Sequence, residues 1–333
     1  MSGGERVLVT GGAGYVGSHV ALALCEAGVP VVVLDDLSTG RRDCVPAGAA
    51  FVAGDVGDAA LLESLLHRHA ITAVMHFAGS IVVPESVTRP LDYYRNNTAN
   101  ALTLIRACVG AGVGRFIFSS TAAVYGMPET LPIDEDTPAR PINPYGLSKL
   151  MTELMLRDAA AAHDLRYVAL RYFNVAGADP AGRSGQCTPV ATHLIKIACQ
   201  AATGQRPGLS LYGDDYPTPD GTCIRDYVHV ADLADAHVAA LRHLAAGGPS
   251  RVFNCGYGRG YSVREVLDAV QRVTGRRLAV TVAPRRAGDP PALVANADRI
   301  VRELGWTPRR ADLDGIVATA FAWEERLLGG AAG

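Results

Sequence analysis

Short apolar runs alternate along the first half of the chain with longer stretches in which apolar positions recur every three or four residues. The runs lie at 6–10, 31–34, 50–53, 73–77, 116–119 and 167–172. Such continuous apolar character predicts strands covered on both faces, as in a parallel sheet. The intervening segments 15–27, 61–69, 90–111 and 144–163 carry the period of amphipathic helices. This βαβ repetition predicts an α/β fold built on a doubly wound parallel sheet. Regular alternation lapses near 174–180, where a Gly/Pro/polar loop covers 179–186. Beyond it the pattern predicts helices at 190–203, 230–246, 262–274, 297–304 and 313–328. Strands are predicted at 209–212 and 251–254, and a polar loop at 213–222. The expected organisation is a larger domain over 1–175, completed by later segments at roughly 225–255, and a smaller α/β domain made mostly of 176–333.

The first strand runs into Gly11-Gly12-Ala13-Gly14-Tyr15-Val16-Gly17, which reads both as Gly-x-Gly-x-x-Gly and as Gly-x-x-Gly-x-x-Gly. Glycines there allow a tight turn and let a pyrophosphate approach a helix N-terminus, where free N–H groups and the dipole favour an anion. Alone the motif is weak. The strand before it, the helix after it and Asp35 ending the second strand make it a Rossmann-type dinucleotide site. Asp35 falls where the adenosine ribose is expected. A carboxylate there repels a 2′-phosphate, which favours NAD, while Arg41 and Arg42 leave NADP as a minor alternative. Ligands bind at the carboxyl ends of strands in such sheets, so Asp35, Asp55, Ala78-Gly79 and Ser119-Ser120-Thr121 share one rim. Asn96 and Asn97, poor helix formers inside a predicted helix, read equally as surface residues or as anchors of the neighbouring loop and cofactor.

Composition narrows the function classes. A formal net charge of −2 over 333 residues gives no reason to expect nucleic acid. The arginine pairs are scattered and read as solvated. No apolar run approaches a membrane span, and the N-terminus passes almost directly into a strand. The seven cysteines (25, 44, 108, 187, 199, 223 and 255) include no Cys-x-x-Cys pair and read as reduced, largely buried thiols of a cytoplasmic protein. The nine histidines show no zinc-ligand spacing, so no metal is expected; His67 and His69 read as surface residues at a helix end.

In Asn143-Pro144-Tyr145-Gly146-Leu147-Ser148-Lys149, proline suits the first turn of a helix, and Tyr145 and Lys149 fall on one face a turn apart. A phenol has pKa ~10 and is a poor base at neutral pH. A nearby ammonium and a positively charged cofactor ring favour the phenolate, and lowering its pKa by roughly 3 units takes about 4 kcal/mol. Tyr-x-x-x-Lys by itself is as readily an accident of a surface helix. Its weight comes from the dinucleotide turn and the Ser-Ser-Thr strand end on the same rim.

Together these motifs resemble the extended short-chain dehydrogenase/reductase family, and within it the branch that epimerises UDP-hexoses at C4. The marks are Val-Thr-Gly-Gly-Ala-Gly-Tyr-Val-Gly-Ser-His (9–19), His-Phe-Ala-Gly (76–79), Phe-Ser-Ser-Thr-Ala-Ala-Val-Tyr-Gly (118–126) and Pro-Tyr-Gly-Leu-Ser-Lys (144–149). Arg-Tyr-Phe-Asn (171–174), Ile-Arg-Asp-Tyr-Val-His-Val (224–230) and Arg-Arg-Ala-Gly-Asp (285–289) continue the series across nearly the whole chain.

The resemblance implies tightly bound NAD and interconversion of UDP-glucose and UDP-galactose through a 4-keto sugar. It implies that Gly11, Gly14, Tyr15, Val16 and Gly17 hold the dinucleotide pyrophosphate, Asp35 the ribose, and Asp55 and Val56 the adenine, with Asp36 also on the cofactor. Phe77, Ala78, Gly79, Asn97, Ser119 and Phe173 would line the rest of the cofactor cleft. Thr121, Tyr145 and Lys149 match the catalytic Ser/Thr–Tyr–Lys set. Tyr145 would take the C4 hydroxyl proton, Thr121 would bond the same oxygen, and Lys149 would keep Tyr145 ionised and bond the nicotinamide ribose. Asn174, His193, Leu194, Tyr212, Arg225, Arg286, Asp289 and Leu293 fall at positions that hold the nucleotide-sugar, with Tyr212 near the uracil and Arg225 and Arg286 on the diphosphate. A homodimer formed through the helices near 90–111 and 144–163 is implied as well.

Departures from the family pattern qualify this. Ser80-Ile81 stand where a cofactor-contacting lysine is common. Leu293 stands where some epimerases carry a pocket-limiting tyrosine, so N-acetylated sugars such as UDP-N-acetylglucosamine are an alternative substrate. UDP-xylose/arabinose and UDP-glucuronate remain open because the same three residues serve them. A 4,6-dehydratase requires an Asp-Glu pair where Ala122-Ala123 stand, and methyl groups transfer no protons. From another class, a non-catalytic NAD-sensing protein is opposed by the intact Thr121–Tyr145–Lys149 set.

Overall fold

The structure is a computed structural model that describes residues 4–188, 190–286 and 289–330. Ala287 and Gly288 of the 285–289 motif therefore lie outside the described residues.

The first half folds as β1 (Val7–Thr10), α1 (Tyr15–Glu26), β2 (Val31–Asp35), β3 (Ala50–Ala53), α2 (Ala59–Arg68) and β4 (Ala73–His76). Then come α3 (Val83–Thr88), α4 (Pro90–Tyr93), α5 (Asn100–Gly110), β5 (Arg115–Thr121), α6 (Pro144–Ala162) and β6 (Arg166–Tyr172). The second half contributes β7 (Asn174–Ala176), α7 (Leu194–Ala202), β8 (Leu209–Tyr212), β9 (Ile224–His229), α8 (Val230–Ala245) and β10 (Arg251–Cys255). The last elements are β11 (Gly260–Ser262), α9 (Val263–Thr274), β12 (Val280–Ala283), β13 (Ala292–Leu293), α10 (Asp298–Leu304) and α11 (Leu313–Gly330).

Seven strands form one sheet in the order β10-β6-β5-β4-β1-β2-β3, with every pairing parallel. Strand order reverses between β1 and β4, and their carboxyl ends bracket the crevice where such sheets bind ligands. The expected doubly wound fold is present, and β10 shows the chain returning to that sheet late. Both sheet faces are covered. Val20, Ala21 and Leu24 of α1 pack with Leu233, Ala236 and Val238 of α8 on one side. Leu62, Leu65, Leu104, Ile105 and Leu156 from α2, α5 and α6 close the other. Each fully buried side chain of this kind is worth about 1.5–3 kcal/mol of transfer free energy.

β7, β9, β11 and β13 form a second small sheet around β9, and β8 pairs in parallel with β12. A third cluster of buried residues, with Ile195, Ala198, Val266, Val270, Ile316 and Val317, joins α7, α9 and α11. Among the described residues, no helix is long and apolar enough to cross a membrane.

Three stretches differ from the pattern-based expectation. The helix expected over 90–111 is interrupted by a π turn at Tyr94–Ala99, preceded by the unexpected short helix α3. The helix expected from 190 starts only at Leu194, leaving His193 as its extended N-cap. β7, β9, β11, β12 and β13 were not expected as strands; they are short, or carry polar side chains such as Arg225 and Asp226 that are buried here.

Candidate active site

The turn after β1 is built around missing side chains. Gly11 has φ +69°, and a Cβ on it would lie 2.5 Å from the Ala78 nitrogen. A Cβ on Gly17 would lie 2.3 Å from the Gly11 carbonyl oxygen. Gly14 is the N-cap of α1 and offers no side-chain cap, which leaves first-turn N–H groups for an anion. Tyr15 sends its hydroxyl to the Gly177 carbonyl at 2.6 Å, and Val16 packs on the core.

Asp35 is buried, and its two carboxylate oxygens accept from Ala13 N at 2.9 Å and Leu37 N at 2.8 Å. Burial raises its pKa, and those two N–H bonds oppose the rise. Asp36 caps Ser38 at 2.9 Å, and Asp55 accepts from Gly57 N at 2.7 Å. Val56 buries its side chain in the core under this rim. Arg41 is held by Asp43 at 3.0 Å, and the Arg42 guanidinium lies 4.6 Å from the Phe51 ring centre. Both cations beside the ribose position thus have local partners. The tight glycine turn, the uncapped helix start and the acid ending β2 fit a dinucleotide of the NAD type.

The Ser119-Ser120-Thr121 end of β5 faces α6. Asn143 caps that helix by accepting from Gly146 N at 2.8 Å, and Pro144 opens its first turn. Tyr145 and Lys149 are both buried on its inner side. The Lys149 ammonium donates to the Ser119 carbonyl at 3.0 Å and lies 5.0 Å from the Phe118 ring centre. Burial lowers its pKa to about 8. Burial also raises the Tyr145 phenol, with the Thr121 hydroxyl pulling the other way. Desolvation is the larger of these two influences on the phenol. Thr121 Oγ1 also accepts from Ala123 N at 3.1 Å.

Two asparagines clamp the loop after β4. Asn97 Oδ1 accepts from Ser80 N at 2.7 Å, and its Nδ2 donates to Ser80 O and Ser148 Oγ, each at 3.0 Å. Asn96 Nδ2 donates to Ser80 Oγ at 2.9 Å. The π turn presents both amides to the same loop, so the surface reading of this pair is set aside. A Cβ on Gly79 would lie 2.9 Å from Asn97 Oδ1 and 3.7 Å from Lys149 Nζ, which places the loop beside the catalytic candidates. Phe77, just before it, tilts against His237 at 4.8 Å between ring centres.

The sugar-side candidates fall into two groups. Asn174, His193 and Leu194 line one cleft together with Gly177, Gln186 and the cofactor-side Tyr15. Gln186 Nε2 lies 2.7 Å from His193 Nδ1, and burial beside Lys196 lowers the His193 pKa to about 4. In the second group Arg225 is ion-paired with Asp289, and Leu293 stands opposite Arg225 across the β9–β13 pairing. The Arg286 guanidinium lies 3.9 Å from the Tyr212 ring centre, and that tyrosine is 40% exposed. Phe173 and Leu293 share a small apolar cluster with Ala122 and Tyr125.

Sequence reasoning missed Ser80, Ser148 and Gln186, the partners that hold Asn97 and His193. The adjacent asparagines were a signal for the first two. It also missed the buried pair of Glu153 and Arg171, which meet through Arg171 Nε–Glu153 Oε1 at 3.0 Å and Arg171 Nη2–Glu153 Oε2 at 2.6 Å. Ser120 donates its hydroxyl to the same carboxylate.

Residues 7–256 match the model of the NAD dependent epimerase/dehydratase family. UDP-glucose 4-epimerase of Azospirillum brasilense is 66% identical over 322 residues, covering 97% of this chain and 92% of that protein. The crystal structure of UDP-glucose 4-epimerase from Brucella ovis in complex with NAD superposes with a TM-score of 0.93 at 49% identity, covering 96% of this chain and 98% of that one. The UDP-Glc/GlcNAc 4-epimerase of Campylobacter jejuni gives 0.85 at 46% identity, covering 97% and 100%. On the family match, the extent of these similarities and the parallel sheet with its glycine turn, the chain belongs to the NAD dependent epimerase/dehydratase family.

Proposed function

We propose that the chain interconverts UDP-glucose and UDP-galactose by inverting C4 with bound NAD. The observation that carries this reading is the convergence of Thr121, Tyr145 and Lys149 at the carboxyl end of β5, beside the Asn97-clamped loop. The 4-epimerases similar to this chain act on the same sugar class. NAD, when bound in its oxidised form, would supply the hydride acceptor and a positive charge. Tyr145 takes the C4 hydroxyl proton and later returns one to the opposite face. Thr121 bonds that oxygen in both steps and holds it against Tyr145. Lys149 fixes the strand end through the Ser119 carbonyl and, as a cation, favours the phenolate. Arg225, Arg286, Asp289 and Tyr212 hold the UDP portion firmly, so that the hexose is free to turn.

Leu293 favours a second reading, in which UDP-N-acetylglucosamine is also a substrate, because its aliphatic side chain leaves more room than a tyrosine. A panel of UDP-sugars with the epimers resolved by NMR separates the two, and absence of N-acetyl turnover removes the second. In the same assay Tyr145→Phe is expected to lose about 10²- to 10⁴-fold in kcat while keeping NAD. Unchanged turnover would sink the mechanism.

The reading includes two domains divided near 175, a cytoplasmic location suited to seven unbridged cysteines, and a homodimer. Support for the dimer comes from Val87, Leu91, Leu102 and Leu154, apolar side chains that are 62%, 78%, 44% and 40% exposed on α3 to α6. Sedimentation equilibrium is expected to give twice the chain mass, with Leu91→Glu shifting it toward one. A monomeric parent protein would remove the proposal.

A further inference from the structure

Cys44 closes the 3₁₀ turn Arg42–Cys44 after β2, and Cys187 lies between β7 and α7. They are 143 residues apart in sequence, yet their sulfurs stand 3.4 Å apart, with Cys44 buried and Cys187 half-buried. Their flanks are anchored on the same part of the molecule. Arg41 N donates to the Ala13 carbonyl at 3.0 Å, so the Cys44 segment laps the glycine turn. The Cys187 segment is tied down through Tyr15 to Gly177 O at 2.6 Å, Ser18 to Ser184 at 2.8 Å, and the ion pair of Glu26 with Arg183. The two segments meet over the start of α1. A disulfide requires an S–S distance of about 2.05 Å, and the two sulfurs already stand in contact at 3.4 Å.

We propose that Cys44 and Cys187 form an oxidation site that takes a low-molecular-weight disulfide as co-reactant and closes to an intramolecular bond strapping the two segments together. The Cys187 thiolate attacks one sulfur of the small disulfide, whose S–S bond breaks and releases the first small thiol. The Cys44 thiolate then attacks Cys187 in the mixed disulfide and releases the second. Two electrons and two protons pass from the protein thiols to the small disulfide, which becomes two thiols. The order of attack follows the environment. The hydrogen bond from Cys44, together with the charge of Arg41, lowers the Cys187 thiol pKa, whereas that same bond and burial raise Cys44. The remaining half-buried thiol, Cys25, has its pKa raised by burial.

Formation of the bond stands apart from the functional reading. Its consequence rests on that reading: the strap closes beside the α1 N-terminus, where the cofactor pyrophosphate belongs, and slows NAD release. The experiment treats the NAD-loaded enzyme with oxidised glutathione and maps non-reduced peptides by mass spectrometry, beside Cys44→Ser and Cys187→Ser. The parent is expected to give a Cys44–Cys187 peptide, reversed by dithiothreitol, and NAD release slowed several-fold. Both variants release NAD at the reduced rate, and their melting temperatures check folding. Unmodified Cys187, or a glutathione adduct that never resolves onto Cys44, overturns the site. Slowed release that persists in both variants overturns the strap, whereas an oxidised protein lacking NAD effects but holding the linked peptide supports the site and removes the strap.

Discussion

Burial and the Thr121 hydroxyl act in opposite directions on Tyr145. A dry pocket raises the phenol and lowers the neighbouring ammonium to about 8, so each group is pushed toward its neutral form. The pocket thus weakens the cation that the proposed mechanism uses, and Lys149 keeps its proton only below about pH 8. Turnover is therefore expected to fall as pH rises through that value. In Lys149→Arg, whatever its plateau, the alkaline limb should move upward, because a guanidinium holds its proton to a pKa above ~12. Coincident alkaline limbs in kcat–pH profiles of the two proteins would show that another group sets the decline. Spacing alone placed Tyr145 and Lys149 on one helix face, and strand-end logic placed Thr121 beside them. The direction of the Tyr145 shift was not legible, because it depends on how much of the molecule closes around the phenol. Gly11 and Gly17 were legible for the opposite reason: their need for empty space is local to one turn.

The catalytic helix is set against the sheet by contacts that no helical period reveals. Glu153 lies two turns after Tyr145, and its carboxylate takes Ser120 of β5 and the Arg171 guanidinium of β6 together. Both ionic side chains are buried, at 4% and 7% exposure, so either one left alone would be an unpaired charge in the core. Glu153→Ala is expected to cost about 3–5 kcal/mol, while an apolar pair at both positions should recover most of that loss. Urea unfolding followed by circular dichroism decides this, and a loss under about 1 kcal/mol for the single variant would count against it. In sequence Glu153 looks like any glutamate one turn beyond Lys149, and Arg171 interrupts an otherwise apolar strand without a visible partner. The parallel strands were legible because burial on both faces leaves continuous apolar runs. β7, β9 and β13 were not, since pairings only two or three residues long, and the pairing of Arg225 with Asp289, let short or polar segments form strands. The π turn escaped because helical periodicity survives one inserted residue while its amides turn toward Ser80.

Four histidines are held as neutral rings. His76 joins β4 to β1 through Thr10 at 2.7 Å, and burial followed by the Lys149 charge lowers its pKa to about 3. His193 is lowered to about 4, and so are His229, which caps α8 through Ala231 N at 3.1 Å, and His237, which packs on Phe77. Burial is the main cause in each case. A ring of this kind stays unprotonated in the folded chain while its unfolded counterpart, with pKa ~6.5, takes up a proton. Stability is therefore fully present above about pH 6.5 and is lost as pH falls toward about 4, where the folded rings begin to protonate. Asp226 works against this trend: burial raises its pKa to about 6, so the folded chain binds a proton there before the unfolded one does. Asp35, Glu135 and Asp235 are raised by burial as well and act in the same sense, while His19 is lowered and joins the other rings. The histidines set the sign between pH 7 and 5 because their unfolded counterparts begin to protonate near pKa ~6.5. Melting temperatures followed by calorimetry should fall steadily across that range, and bound NAD should be released over the same interval, because the rings involved hold β1, β4, Phe77 and the cleft beside Tyr15. A melting temperature that stays flat from pH 7 to 5 would mean that these rings are solvated or paired in solution, and that the contacts made by His76 and His237 do not carry the strain of a buried charge.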